Sequence, residues 1–239
     1  MDIKYYREFS QCLQRETEIK VYGSKGAPVL YFVNNEEDKI VHDCLMELAQ
    51  ANRVQIFEIA NPLSVIDNRN NQNHASYLLE QFYYYIVHEV IPHVFRLNTR
   101  ANDGQRQQGV YTAGEGRVSG AAVNYFLRRP DIFLGTLSLN GIFNLSFYFG
   151  DFINKNVYDN CPTIYLSMMA ENHPYIKRYN ELDKIYILNN HEPATFDSAR
   201  ELQTILDTHK IKAHVLLEKP EEKMINVDYV RDCLESLLS

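Results

Sequence analysis

Short β-prone apolar runs alternating with helical stretches predict an α/β fold, a mostly parallel central sheet with helices on both faces. Two further observations support that class. From Val110 to Arg129 the chain reads as strand, glycine-bearing turn and helix in immediate succession. The 239 residues, 45% hydrophobic and 23% charged, have the composition of an ordinary globular protein, and a chain of this length buries roughly 70–75% of its unfolded surface. One core suffices, so residues 1–239 are expected to form a single domain.

Taken in order, β-branched and aromatic content marks Val29–Val33 and Val54–Ile59 as core strands, with a helix over Ile40–Ala51 between them. The polar tract Asn68-Arg69-Asn70-Asn71-Gln72-Asn73-His74 is a solvated loop near the carboxyl edge of the sheet, where sheets of this class bind ligands. A long helix is expected over Ala75–Arg96, a strand over Gln108–Thr112, a helix over Ser119–Arg129 and a strand over Gly135–Ser138. Thr163–Met168, Lys184–Leu188 and Ala213–Leu217 complete the strands. Pro174–Leu182, Asp197–Thr208 and Asp228–Leu238 complete the helices, and no repeat is visible.

Composition also excludes. A net charge of −7 and a pI near 5.6, with scattered basic residues, argue against nucleic-acid binding, which needs clustered Lys and Arg. The start, Met1-Asp2-Ile3-Lys4-Tyr5-Tyr6-Arg7, has no apolar leader core, and no run approaches the ~20 apolar residues that span a bilayer. A cytoplasmic protein without membrane contact is expected. Cys12, Cys44, Cys161 and Cys233 are far apart and lack C-x-x-C spacing, so they read as free thiols. No cofactor is expected.

The turn after the 110–112 strand carries the chemistry. Gly114-Glu115-Gly116-Arg117-Val118 occupies the frame of G-x-S-x-G, in which a serine sits on a strained strand-to-helix turn and the following N–H helps hold an oxyanion. Glycine stands at the serine position and valine at the last glycine. The flanks carry a resemblance. Ala121-Ala122-Val123-Asn124-Tyr125-Phe126-Leu127-Arg128-Arg129-Pro130-Asp131-Ile132-Phe133, followed by Thr136-Leu137-Ser138-Leu139-Asn140-Gly141, resembles the helix, "RRPDxF" turn and next strand of the esterase D-like family of α/β-hydrolases. Arg7 to Gly23 and Ala27 to Phe32 look like that family's opening hairpin and first core strand, and Tyr84 to Pro92 like the helix before the nucleophile strand. The resemblance implies an α/β-hydrolase fold over nearly the whole chain.

A serine hydrolase also needs a histidine base, an acid to orient it and a second oxyanion donor. By the resemblance, the histidine of the family's "HDW" segment falls on Ile225 and the aspartate on Asn226. The family acid falls near Asn189-Asn190-His191-Glu192, making Glu192 the candidate remnant with His191 beside it. His214, the last histidine, should lie inside a strand, out of place for this triad. The Gly-bearing oxyanion turn is replaced by Asn34-Asn35-Glu36-Glu37-Asp38-Lys39, whose carboxylates oppose a developing negative charge.

Other nucleophiles fare no better. Ser119, on a first helical turn, is expected to cap backbone N–H groups, while Ser138 and Ser167 fall in expected strands. Tyr83-Tyr84-Tyr85 spans several faces of a helix and reads as core plus interface. Glu36, Glu37, Asp38 and Glu115 offer oxygen donors of the kind hard cations prefer, but charge runs are ordinarily solvated faces, and no metal is expected. The expectation is an esterase-like fold that has lost carboxyl-ester hydrolysis and binds a small molecule, another protein or a second copy of itself. Its crevice candidates are Asn34, Asn35, Glu115, Gly116, Arg117, His191 and Glu192. The alternative is an active hydrolase using a non-standard site.

Overall fold

The computed structural model describes residues 3–33, 39–59, 71–190, 193–218 and 225–239. One eight-stranded sheet organises them, in the order β1-β2-β4-β3-β5-β6-β7-β8. The strands are β1 (Ile3–Ser10), β2 (Arg15–Tyr22), β3 (Ala27–Phe32), β4 (Val54–Ile59), β5 (Val110–Glu115), β6 (Phe133–Leu139), β7 (Ile185–Asn190) and β8 (His214–Glu218). β1 and β2 form an antiparallel hairpin, β2 runs antiparallel to β4, and every pairing from β4 to β8 is parallel.

Side-chain alternation sends each strand into two cores. Val29, Tyr31, Val54 and Ile56 face one layer, where α1 (Ile40–Gln50) and α10 (Val227–Leu238) contribute Val41, Leu45, Val230 and Leu234. Leu30, Phe32, Phe57 and Ile59 face the other, packed on α2 (Gln72–Tyr85), α3 (Ile91–Ala101), α4 (Ser119–Arg128) and α9 (Pro193–Thr208). Helices thus cover both faces of a mostly parallel sheet, the architecture of the α/β-hydrolase fold. None of the described helices is long and apolar enough to cross a membrane.

Between α2 and α3 the turn Ile86–Val90 widens to π-helical geometry. Pro92, two residues beyond it, has no N–H to give, and a π-turn is one way a continuous helix absorbs that loss. The helix expected over Ala75–Arg96 is therefore present but interrupted. Thr163–Met168, expected as a strand, is instead part of α7 (Pro162–Ser167). Pro162 sits in the first turn, where a missing N–H costs nothing, and Thr163 and Leu166, three residues apart, supply the buried face. The long excursion from β6 to β7 holds α5 (Ser146–Phe149), α6 (Lys155–Asn160), α7 and α8 (Pro174–Leu182). A satellite core of Ala75, Leu79, Leu145, Phe149, Val157 and Cys161 fastens it to α2.

Candidate functional site

β5, the turn at Gly116–Val118 and α4 form the strand–turn–helix unit at the carboxyl edge of the sheet. β5 runs on to Glu115, beyond the Thr112 limit expected from sequence, so the turn proper begins at Gly116. Gly116 has φ +71°, a left-handed conformation that glycine reaches without a Cβ clash. Its N–H donates to the Leu139 carbonyl (2.8 Å) and its carbonyl accepts from the Ser119 N–H (2.9 Å), which pins the turn to β6 and closes it onto α4. A second glycine requirement was not foreseen: a Cβ on Gly120 would lie 1.9 Å from the Ile142 carbonyl oxygen. α4 therefore presses backbone to backbone on the segment after β6. Val118, in place of the frame's last glycine, is 1% exposed and packs in the main core.

Ser119 does not cap α4. Its hydroxyl donates to the Leu139 carbonyl (3.1 Å) and lies 2.6 Å from the Ser138 hydroxyl, both side chains fully buried. The pair stitches α4 to β6, an outcome that serves satisfaction of buried polar groups. Ser167 ends α7 and donates to the Ile164 carbonyl (2.7 Å).

Glu115 is buried at 4% exposure, and its Oε2 accepts the Val41 N–H (2.9 Å) in the first turn of α1. α1 has no side-chain cap of its own. A carboxylate from β5 therefore takes one of its orphan donors and meets the positive end of its dipole. Below it, burial pushes the Tyr31 phenol well up, and the nearby Glu115 and Glu58 carboxylates add to the shift. Arg117 places its guanidinium 5.1 Å from the Phe147 ring centroid, tying the turn to α5, while its carbonyl accepts the Ile142 N–H.

Ahead of α10, Ile225 is 8% exposed and joins the core that holds Tyr31, Ala113 and Leu188. Its N–H donates to the Glu218 carboxylate at the end of β8. Asn226 is the N-cap of α10, its side chain accepting the Tyr229 N–H (2.9 Å). The two positions where the resemblance led one to expect the histidine and aspartate thus carry a core side chain and a helix cap. Asn34, Asn35, Glu36, Glu37, Asp38, His191 and Glu192 lie outside the described residues.

Sequence reasoning missed a polar stitch at the ends of β6 and β7. Asn140, at φ +61°, accepts the Asn190 N–H through its side-chain oxygen (2.9 Å) and donates to the Asn190 side chain (2.5 Å). The Asn140-Gly141 dipeptide is the signal that would have found it, since asparagine tolerates the left-handed region and such pairs mark turns. Beside it, Asn189 is fully buried and donates to the Thr195 hydroxyl (2.7 Å). His214 opens β8 and stacks on Tyr186 with centroids 4.6 Å apart, remote from the turn in role as well as register.

Burial pushes Cys12 and Cys44 up to about 11 and raises Cys161 and Cys233 as well, so all four are protonated at neutral pH, and the thiolate is the reactive form. Two clefts of about 340 and 300 Å³ lie along the β1–β2 hairpin and meet at Thr17 and Tyr85. They are lined by the hairpin and the helix across it, the first also by Val33 and the β4 residues Glu58 and Ile59, and not by the Gly116 turn.

Comparison with solved structures agrees with this architecture. A ferulic acid esterase superposes with TM-score 0.65 at 14% identity, covering 99% of this chain and 96% of its own. An S-formylglutathione hydrolase from Agrobacterium tumefaciens gives 0.64 at 10% identity, covering 99% and 94%. The MPT51 protein of Mycobacterium tuberculosis gives 0.57 at 12% identity, covering 100% and 97%. No family model matches the sequence, and no curated protein matches it.

Proposed function

The α/β-hydrolase fold, present from β1 to α10, is the premise: we propose that this chain is an esterase-like member of that fold which no longer hydrolyses carboxyl esters and works as a binding module. One observation carries the reading. The nucleophile turn keeps its left-handed shape at Gly116, φ +71°, but its central residue has no side chain to attack with. Ile225, aligned with the base, is buried among core side chains and has no proton to exchange. A hydrolase depends on these parts acting as a unit.

In this role the turn offers Gly116 and Arg117, while Glu115 is engaged at the start of α1; Asn34, Asn35, His191 and Glu192 stay candidates from the sequence alone. The partner is a small molecule or a protein in the cytoplasm, without metal or cofactor. Assay of the purified chain with p-nitrophenyl acetate and butyrate tests the reading. The expected rate equals that of a denatured control. Saturable turnover that follows the protein through purification and stops on treatment with a serine-directed inhibitor overturns it.

A further inference from the structure

β1 is the outermost strand of the sheet, and no described element pairs with its far edge. It runs eight residues in unbroken register with β2, with no proline or bulge to blunt it, whereas strands average about five or six. Its charges, Lys4, Arg7 and Glu8, guard it against indiscriminate pairing and leave it open as a template for a strand of matching charge. Ile3, Tyr5 and Phe9, which share one face of β1, are 43%, 54% and 50% exposed.

The sequence of β1, Ile3-Lys4-Tyr5-Tyr6-Arg7-Glu8-Phe9-Ser10, is complementary to itself read backwards. About a two-fold axis normal to the sheet, only registers that oppose residues of the same face are possible. Centred on Tyr6, Lys4 meets Glu8 at both ends, Tyr5 meets Arg7 twice, and Ile3 meets Phe9 twice. Opposite charges, cation and ring, and apolar pairs are the favourable cross-strand combinations. Centred on Arg7, the same strand opposes Arg7 to itself and Tyr6 to Glu8. Centred on Tyr5, it leaves Glu8 and Phe9 unmatched.

We propose that β1 is a dimer edge: it pairs antiparallel with β1 of a second copy of this chain, in the register centred on Tyr6, so that the two eight-stranded sheets become one. The palindromic charge pattern selects a second copy over an unrelated strand.

Sedimentation velocity across a wide concentration range tests this, with the parent chain forming a dimer. Lys4→Glu sets like charges opposite each other at both ends and raises the dissociation constant roughly ten- to thirtyfold; adding Glu8→Lys restores opposite pairs and recovers the dimer. Lys4 is exposed, so the first variant folds. Glu8 also lies 3.5 Å from His93 Nδ1 and 3.9 Å from Arg96, so a second measurement reads the register without it. Tyr6→Cys places two thiols at directly opposed positions, whose Cα separation of about 4.5–5.5 Å suits a disulfide. Mild oxidation yields a covalent dimer for Tyr6→Cys above the parent's own background, and none above that background for Arg7→Cys. A parent that stays monomeric at every concentration, a Lys4→Glu dimer of unchanged strength, or crosslinking through Arg7→Cys in place of Tyr6→Cys overturns the proposal.

Discussion

Replacing Gly116 by alanine isolates what the turn costs and what its glycine relieves. At φ +71° an L-residue suffers a clash of its Cβ with the backbone worth about 1–2 kcal/mol. Alanine gains about 0.4–1 kcal/mol in return by restricting the unfolded chain. The net loss is about 1 kcal/mol, or ~2–4 °C in melting temperature for a chain of this size. Gly104 calibrates the conformational part, because it has φ +86° and a Cβ there meets nothing within 4 Å. Gly116→Ala should lose at least as much as Gly104→Ala, since Gly116 is buried and Gly104 exposed. Gly120→Ala isolates the opposite case, since its Cβ would stand 1.9 Å from a backbone oxygen that cannot rotate away, and its loss should exceed ~3 kcal/mol. Urea unfolding followed by circular dichroism ranks the three. An alanine variant at 116 as stable as the parent, with Gly104→Ala destabilised, would refute the idea that the turn still holds the strained geometry of a nucleophile elbow.

Gly116→Ser alone should leave ester hydrolysis at background, because a serine without its base is a weak nucleophile at neutral pH; adding Ile225→His gives the best chance of a trace rate, read by p-nitrophenyl release. Glu115→Ala should destabilise the chain by about 1–2 kcal/mol, because the Val41 N–H loses its acceptor at the start of α1; denaturant midpoints measure it. Glu89, in the π-helical turn between α2 and α3, reaches the tip of the β1–β2 hairpin, where burial opposes its ionisation but hydrogen bonds from Cys12, Ser10 and Gln11 outweigh that and hold its carboxyl below the usual range. A depressed carboxylate stabilises the fold above its unfolded value and loses that contribution as pH falls through the folded one. Thermal melts should therefore show the parent losing more stability than Glu89→Gln below about pH 4.5.

The central strands were legible because β3 to β6 are buried on both faces and are rich in β-branched, aromatic and other apolar residues despite scattered polar positions. Thr163–Met168 misled because a short apolar run fits a strand or one helical turn equally well; Pro162 and the Thr163–Leu166 spacing were the arbiters. α5 and α6 are only 4 and 6 residues long, too short for a periodic signal. The turn at Gly116 was visible in a nine-residue window, since strand, glycines and helix lie side by side in sequence. Roles that depend on distant partners were not. Glu115 caps a helix 74 residues upstream, and Asn140 finds its mate 50 residues downstream. Ile225 could be aligned with a histidine, but its place in the core required the fold.

The claim that this hydrolase fold has no working nucleophile is tested most directly by intact-mass measurement after exposure to a fluorophosphonate, which labels activated serines stoichiometrically. The account predicts a mass identical to that of the untreated chain. A single adduct that forms on the native protein, is lost on prior denaturation and maps to one serine would contradict it.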